Sequence, residues 1–117
     1  MAQKIRVLIY CRLAYDDSMA MECQRNYLRR WAVENGCMVV GEITEAGSGI
    51  RLDRPGLSEV MQALQEKRMD APVVKKLDRL ARRPLDAYQL IELLKEKDVD
   101  LICTDENLTP DLFVTRF

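Results

Sequence analysis

The chain predicts an α/β domain of three layers: a mainly parallel central sheet of four to five strands, flanked by helices. Two observations carry this. Short apolar runs rich in branched residues alternate with segments whose apolar positions recur every three or four residues, and strands alternating with helices imply right-handed crossovers and parallel pairing. The 117 residues amount to one domain, long enough to bury roughly two thirds of the surface of the unfolded chain.

Ile5 to Tyr10 is almost continuously apolar, interrupted only by Arg6, so it reads as a central strand covered on both faces. Ser18 is placed to cap a helix with Ala20, Cys23, Tyr27 and Trp31 at helical spacing, Leu28 and Ala32 beside them, and Gly36 as its stop. Met38 to Thr44 is the second strand. Glu45 to Asp53 carries Gly47 and Gly49 without periodicity, the pattern of an exposed, mobile loop. Pro55 opens a helix carrying Leu57, Val60, Met61 and Leu64 and ending near Lys67. Ala71 to Val74 is a short strand, Leu85 to Lys97 a helix with Ala87, Leu90, Ile91 and Leu94 on one face, and Val99 to Cys103 a further strand. Thr109 to Phe117 leaves Leu112, Phe113, Val114 and Phe117 without a place in the sheet and reads as a helix cut short.

Composition narrows the functional classes. The chain is 48% hydrophobic and 32% charged with net charge −1, so it has the apolar material for a core, and any grip on nucleic acid must come from a local patch. Cys11, Cys23, Cys37 and Cys103 form no C-x-x-C pair and there is no histidine. They read as reduced, mostly buried thiols of a cytoplasmic protein without a zinc site. Met1 to Lys4 lacks a signal peptide's apolar core, and no run approaches the ~18 apolar residues of a membrane helix, so no membrane association is expected.

Chemistry concentrates at the carboxyl ends of the strands, where open parallel sheets bind their ligands. Arg12, Arg54, Arg79 and Arg82 all fall beside strand ends, turns or helix starts, and the guanidinium fork suits a phosphate that gathers negative charge during attack. Asp78 is adjacent, able to orient an arginine or handle a leaving-group proton. Read alone, Leu77 to Arg83 is only a surface helix with an Asp78–Arg82 ion pair, Arg12 a polar strand end, and Arg54 a solvent-facing residue at a helix start.

The ordered set says more. A strand ending Tyr10-x-Arg12 is followed by Ser18-x-x-x-Glu22-x-Gln24, Gly47-Ser48-Gly49, Asp53-Arg54-Pro55-Gly56-Leu57, Lys75-Lys76-Leu77-Asp78-Arg79-Leu80-x-Arg82 and a strand leading to a Glu-containing turn. This series resembles the catalytic domain of serine recombinases, the family of resolvases, invertases and large transposon or phage integrases, over about Arg6 to Asp111. The resemblance implies a site of Arg12, Gln24, Arg54, Asp78, Arg79 and Arg82. Gln24 steadies the site, Arg54 binds phosphate from the loop, and Asp78, Arg79 and Arg82 form the main cluster. It implies a serine that forms a phosphoserine bond to DNA, no metal or nucleotide cofactor, and DNA as partner.

Ala14 stands where the family pattern expects that serine, and a methyl group cannot attack phosphorus. Tyr15 would project to the other side of a continuing strand, Ser18 reads as a cap, and Ser48 lies in the glycine loop. The chain is therefore expected not to cleave DNA. Residues 1–117 read as a catalytic domain alone, with the family's long interface helix and DNA-binding region absent or truncated. Self-association into dimers or tetramers is expected of a full-length protein, and weak DNA binding with little or no dimerisation of this fragment. Two alternatives remain: a degenerate recombinase-like module kept for binding or regulation, and a signal-receiver domain, because Asp16 and Asp17 follow the first strand.

Overall fold

In the computed structural model, which describes residues 4–106, Arg6–Leu13 (β1) lies inside a four-stranded sheet. Met38–Ala46 (β2) flanks it on one side, and Ala71–Val74 (β3) and then Ile102–Cys103 (β4) on the other. All pairings are parallel. Alternation along β1 sorts its side chains between two cores. Val7, Ile9 and Cys11 pack with Leu28 and Ala32 of helix Ser18–Glu34 (α1). Leu8 and Tyr10 face the other way, toward Leu57, Val60 and Leu64 of Pro55–Gln65 (α2) and Ile91 and Leu94 of Pro84–Glu96 (α3). A strand apolar on both faces stabilises two layers at once, at roughly 1.5–3 kcal/mol for each large side chain buried.

The expected elements form, with shifted ends. β1 runs on through Arg12 and Leu13, and β2 through Ala46. The Glu45–Asp53 segment is only partly the exposed loop expected: Gly49 is buried, and its carbonyl accepts the Arg82 N–H at 2.9 Å. α2 stops at Gln65, with Lys67 in the left-handed region at φ 54°. The helix expected over Leu77 to Arg83 is a single 3-10 turn, Leu77–Arg79, and Asp78 stands 3.8 Å from Arg79 rather than pairing with Arg82. Pro84 suits the first turn of α3 and ends what precedes it. β4 holds only two residues, although Val99 and Leu101 are buried as expected of a strand.

Two corrections concern α1. Its cap is Asp17, whose Oδ1 accepts the Ala20 N–H at 3.0 Å from an extended backbone, which leaves Ser18 as the first helical residue. Its buried stripe is Gln24, Leu28 and Ala32, with Cys23 and Tyr27 turned outward. A glutamine can take the place of an apolar residue because its amide is paired with the backbone of Arg12. Gly36, at φ 68°, ends the helix region as expected. Cys11 and Cys103 are buried, but Cys23 is exposed and Cys37 half-buried. Thr109 to Phe117 lie outside the described residues. Among the described residues no helix is long and apolar enough to cross a membrane.

At the amino end of the sheet, Asp70 ties the strands together. Its carboxylate accepts the Arg6 N–H at 2.8 Å and the Arg6 guanidinium at 3.2 and 3.3 Å. Its own N–H donates to the Arg6 carbonyl at 2.8 Å. The carboxyl end is left to a different set of residues.

Candidate active site

β1 delivers Arg12 to the carboxyl end of the sheet with 2% of its surface exposed. Burying a guanidinium demands partners, and Arg12 finds them in the backbone. Nε donates to the Arg79 carbonyl at 3.0 Å, Nη1 to Gly47 at 2.8 Å and Nη2 to Asp78 at 2.7 Å. Burial, then the charges of Arg54 and Arg79, push Arg12 below the ordinary arginine pKa. Gln24 supports the same residue, accepting the Arg12 N–H at 3.3 Å and donating to its carbonyl at 3.5 Å.

Arg54 is 5% exposed and fastened in the same manner. Nε donates to the Arg51 carbonyl at 2.8 Å; Nη1 donates to Tyr10 Oη at 2.7 Å and to the Arg79 carbonyl at 3.3 Å; and Nη2 donates to Leu80. The Arg79 carbonyl thus accepts from both buried arginines. Tyr10 in turn donates to Glu45, whose other carboxylate oxygen accepts the Gly56 N–H at 2.8 Å and so fixes the start of α2. Burial, then the Glu45 hydrogen bond, raises the Tyr10 phenol above its ordinary range.

The remaining cations are more open. Arg79 has a side chain one quarter exposed, donates Nη1 to the Arg12 carbonyl at 3.3 Å, and leaves a buried Nε without a hydrogen-bond partner. Arg82, Asp78 and Ala14 are exposed. All the residues expected from the sequence therefore gather at one end of the sheet, in two tiers: Arg12, Gln24 and Arg54 inside, Arg79, Arg82, Asp78 and Ala14 outside. Sequence reasoning missed Tyr10 and Glu45. A tyrosine in an otherwise apolar strand needs a partner for its hydroxyl, and Glu45, beside the glycine loop, supplies it.

A parallel α/β domain with arginines gathered at the strand ends is suited to holding a phosphate. The family model described as Resolvase, N terminal domain, matches residues 7–115. Over 108 residues the chain is 29% identical to the Transposon Tn917 resolvase of Enterococcus faecalis, covering 92% of this chain and 54% of the relative. Over 95 residues it is 33% identical to the DNA-invertase of Escherichia phage P1, covering 80% and 49%. The crystal structure of the N-terminal catalytic domain of TP901-1 integrase superposes with a TM-score of 0.81 at 30% identity, covering 88% of this chain and 79% of that one. The chain belongs to the resolvase N-terminal domain family and is a catalytic domain of the serine site-specific recombinases. It spans about half the length of the curated relatives it matches.

Proposed function

We propose that residues 1–117 form the DNA-engaging catalytic domain of a site-specific recombinase which, with Ala14 in place of the attacking serine, holds a phosphodiester without cleaving it. The observation that carries this reading is the position of Ala14. It lies exposed just past the end of β1, two residues beyond Arg12, at the sheet end where the arginines gather. Attack on a phosphodiester builds charge on its non-bridging oxygens, and fixed cations near the nucleophile offset it. Arg79 and Arg82 have the exposure to meet a phosphate and Asp78 to take up or return a proton, while the buried Gln24 steadies Arg12 from behind. A serine oxygen at position 14 would bond to the phosphorus as the bond from phosphorus to one strand's sugar oxygen breaks and that oxygen leaves as a hydroxyl with a proton, and the serine would be released when the hydroxyl of another strand attacks back and breaks the phosphoserine bond; the alanine methyl has no lone pair with which to begin. The reading calls for no metal or nucleotide cofactor.

A nicked suicide duplex tests it. Incubated with the chain and resolved on a denaturing gel, it should yield no covalent adduct, and an adduct would overturn the cleavage deficiency. Duplex DNA that leaves the amide spectrum unmoved at millimolar protein would overturn DNA engagement. The engagement of every guanidinium nitrogen of Arg12 and Arg54 favours a second reading, a binding or regulatory module. Restoring Ala14→Ser within a longer protein separates the two, since only the first reading regains strand exchange.

A further inference from the structure

Apart from the arginine cluster, the surface carries an apolar groove of about 300 Å³ between α2 and α3. Leu57 and Met61 of α2 face Leu90 of α3, Leu52 completes the apolar lining, and Gln62 and Gln65 form a polar rim. Leu52 is 41% exposed, whereas the packing beneath Leu57, Met61 and Leu90 leaves only about 10 Å³. The groove is thus open above and firm below. Its lining on α2 spans residues 57–65, roughly 12 Å at the helical rise, or about two turns of a helix laid along it.

The charge around it has one sign. Residues 55–66 and 84–94 contain Glu59, Glu66, Asp86 and Glu92 and no lysine or arginine. Glu59 and Glu66 stand three and four residues from Gln62, and Asp86 four from Leu90, so these acids lie on the sides of the helices that border the groove. Among the described residues neither Glu59 nor Asp86 has an ion-pair partner; Glu66 is held by Arg68 at 2.7 Å, and Arg51, the cation beside Leu52, by Asp53 at 2.7 Å. Such a border repels a DNA backbone. It suits an amphipathic helix whose apolar stripe is flanked by lysine or arginine. Leucine-sized side chains spaced three, four and seven residues apart would enter between α2 and α3, cations would meet Glu59 and Asp86, and Gln62 and Gln65 would hydrogen-bond at the edge.

We propose that the groove between α2 and α3 is a docking surface for a basic amphipathic helix of a partner protein. The inference is independent of the DNA reading above.

The probe is a capped peptide of about 16 alanine, leucine and lysine residues, long enough to form a helix, with its leucines on one stripe; a control peptide carries glutamate in place of every lysine. Nitrogen-15 amide spectra of the full chain read the titrations. The lysine peptide should move the amides of residues 57–65 and 86–93 and bind there at least tenfold tighter than the glutamate peptide, by a margin that shrinks as salt rises. Glu59→Gln combined with Asp86→Asn should narrow the margin several-fold. Leu52→Ser, at an exposed position outside the core, should weaken both peptides. No movement of those amides, equal affinity for the two peptides, movement centred on α1, or a double variant that binds as the parent does would each overturn the proposal. A dimer in sedimentation that Leu52→Ser disperses would assign the groove to a second copy of the chain and overturn it as well.

Discussion

Substituting Gly49 by alanine measures how firmly Arg12 is held. A Cβ at position 49 would lie 2.8 Å from Arg12 Nη2, 3.1 Å from its Cζ and 3.0 Å from Arg82 Cβ. A loosely held arginine would swing aside at little cost. Arg12 is fastened by three carbonyls at 2.7–3.0 Å, so relief must stretch those bonds or push the glycine loop outward. The second course strains the 2.9 Å bond from the Arg82 N–H to the Gly49 carbonyl. Overpacking at a site unable to yield costs about 1–3 kcal/mol, which for a domain of this size lowers Tm by on the order of 10 °C. Urea unfolding and calorimetry of Gly49→Ala, Arg12→Met and the double variant complete the cycle. Removing the guanidinium removes two of the three close contacts and leaves only Arg82 Cβ, so alanine at 49 should cost less in the Arg12→Met background, with a coupling of about 1 kcal/mol or more. A Gly49→Ala protein within about 0.5 kcal/mol of the parent, or strict additivity, would refute the caged arginine.

Three further outcomes are expected. Burial, reinforced by the charge of Glu42, pushes the Cys11 thiol up to about 12; in the native protein a thiol reagent at pH 8 should label Cys23 readily and Cys37 slowly, with Cys11 and Cys103 modified only on unfolding. The Arg6 hydrogen bonds hold the Asp70 carboxyl below its ordinary 3.8, so its contribution to stability is complete above that value and is lost as pH falls through the lower folded-state pKa. Because Asp70 is about half exposed the effect is small, and Asp70→Asn should flatten the acid limb of urea midpoint against pH. Leu64, with no exposed surface in the core shared by α2 and α3, should cost about 2–5 kcal/mol when cut to alanine, read from urea unfolding.

Period and punctuation made most of the fold legible. The apolar run from Ile5 to Tyr10, interrupted only by Arg6, marked the central strand, and Pro55 and Pro84 each stand at the start of a helix. The arginine set was legible as a motif, and the residues do converge. What stayed hidden depends on contacts far apart in the chain. Nothing local to Gln24 says that it lies in the buried stripe of α1, because its partner is the backbone of β1. The helical periodicity of Leu77 to Arg83 was overridden by Pro84 and by the carbonyls given up to Arg12 and Arg54, which an α-helix would have kept for its own N–H groups. The same long reach hides from the sequence that Arg12 and Arg54 are held by backbone carbonyls far along the chain.

The three carbonyls that hold Arg12 lie 35, 66 and 67 residues away in the chain. Contacts of that span carry the greatest loop-closure entropy and close after local structure has formed. We expect the cation tier, which lacks the ladder hydrogen bonds of the sheet, to close late in folding and to be lost early in unfolding. Substitutions at Arg12 or Gly49 should act on the unfolding rate and leave the folding rate nearly unchanged. On that expectation the tie that gathers the arginines at the carboxyl end of the sheet also governs how long the domain stays closed.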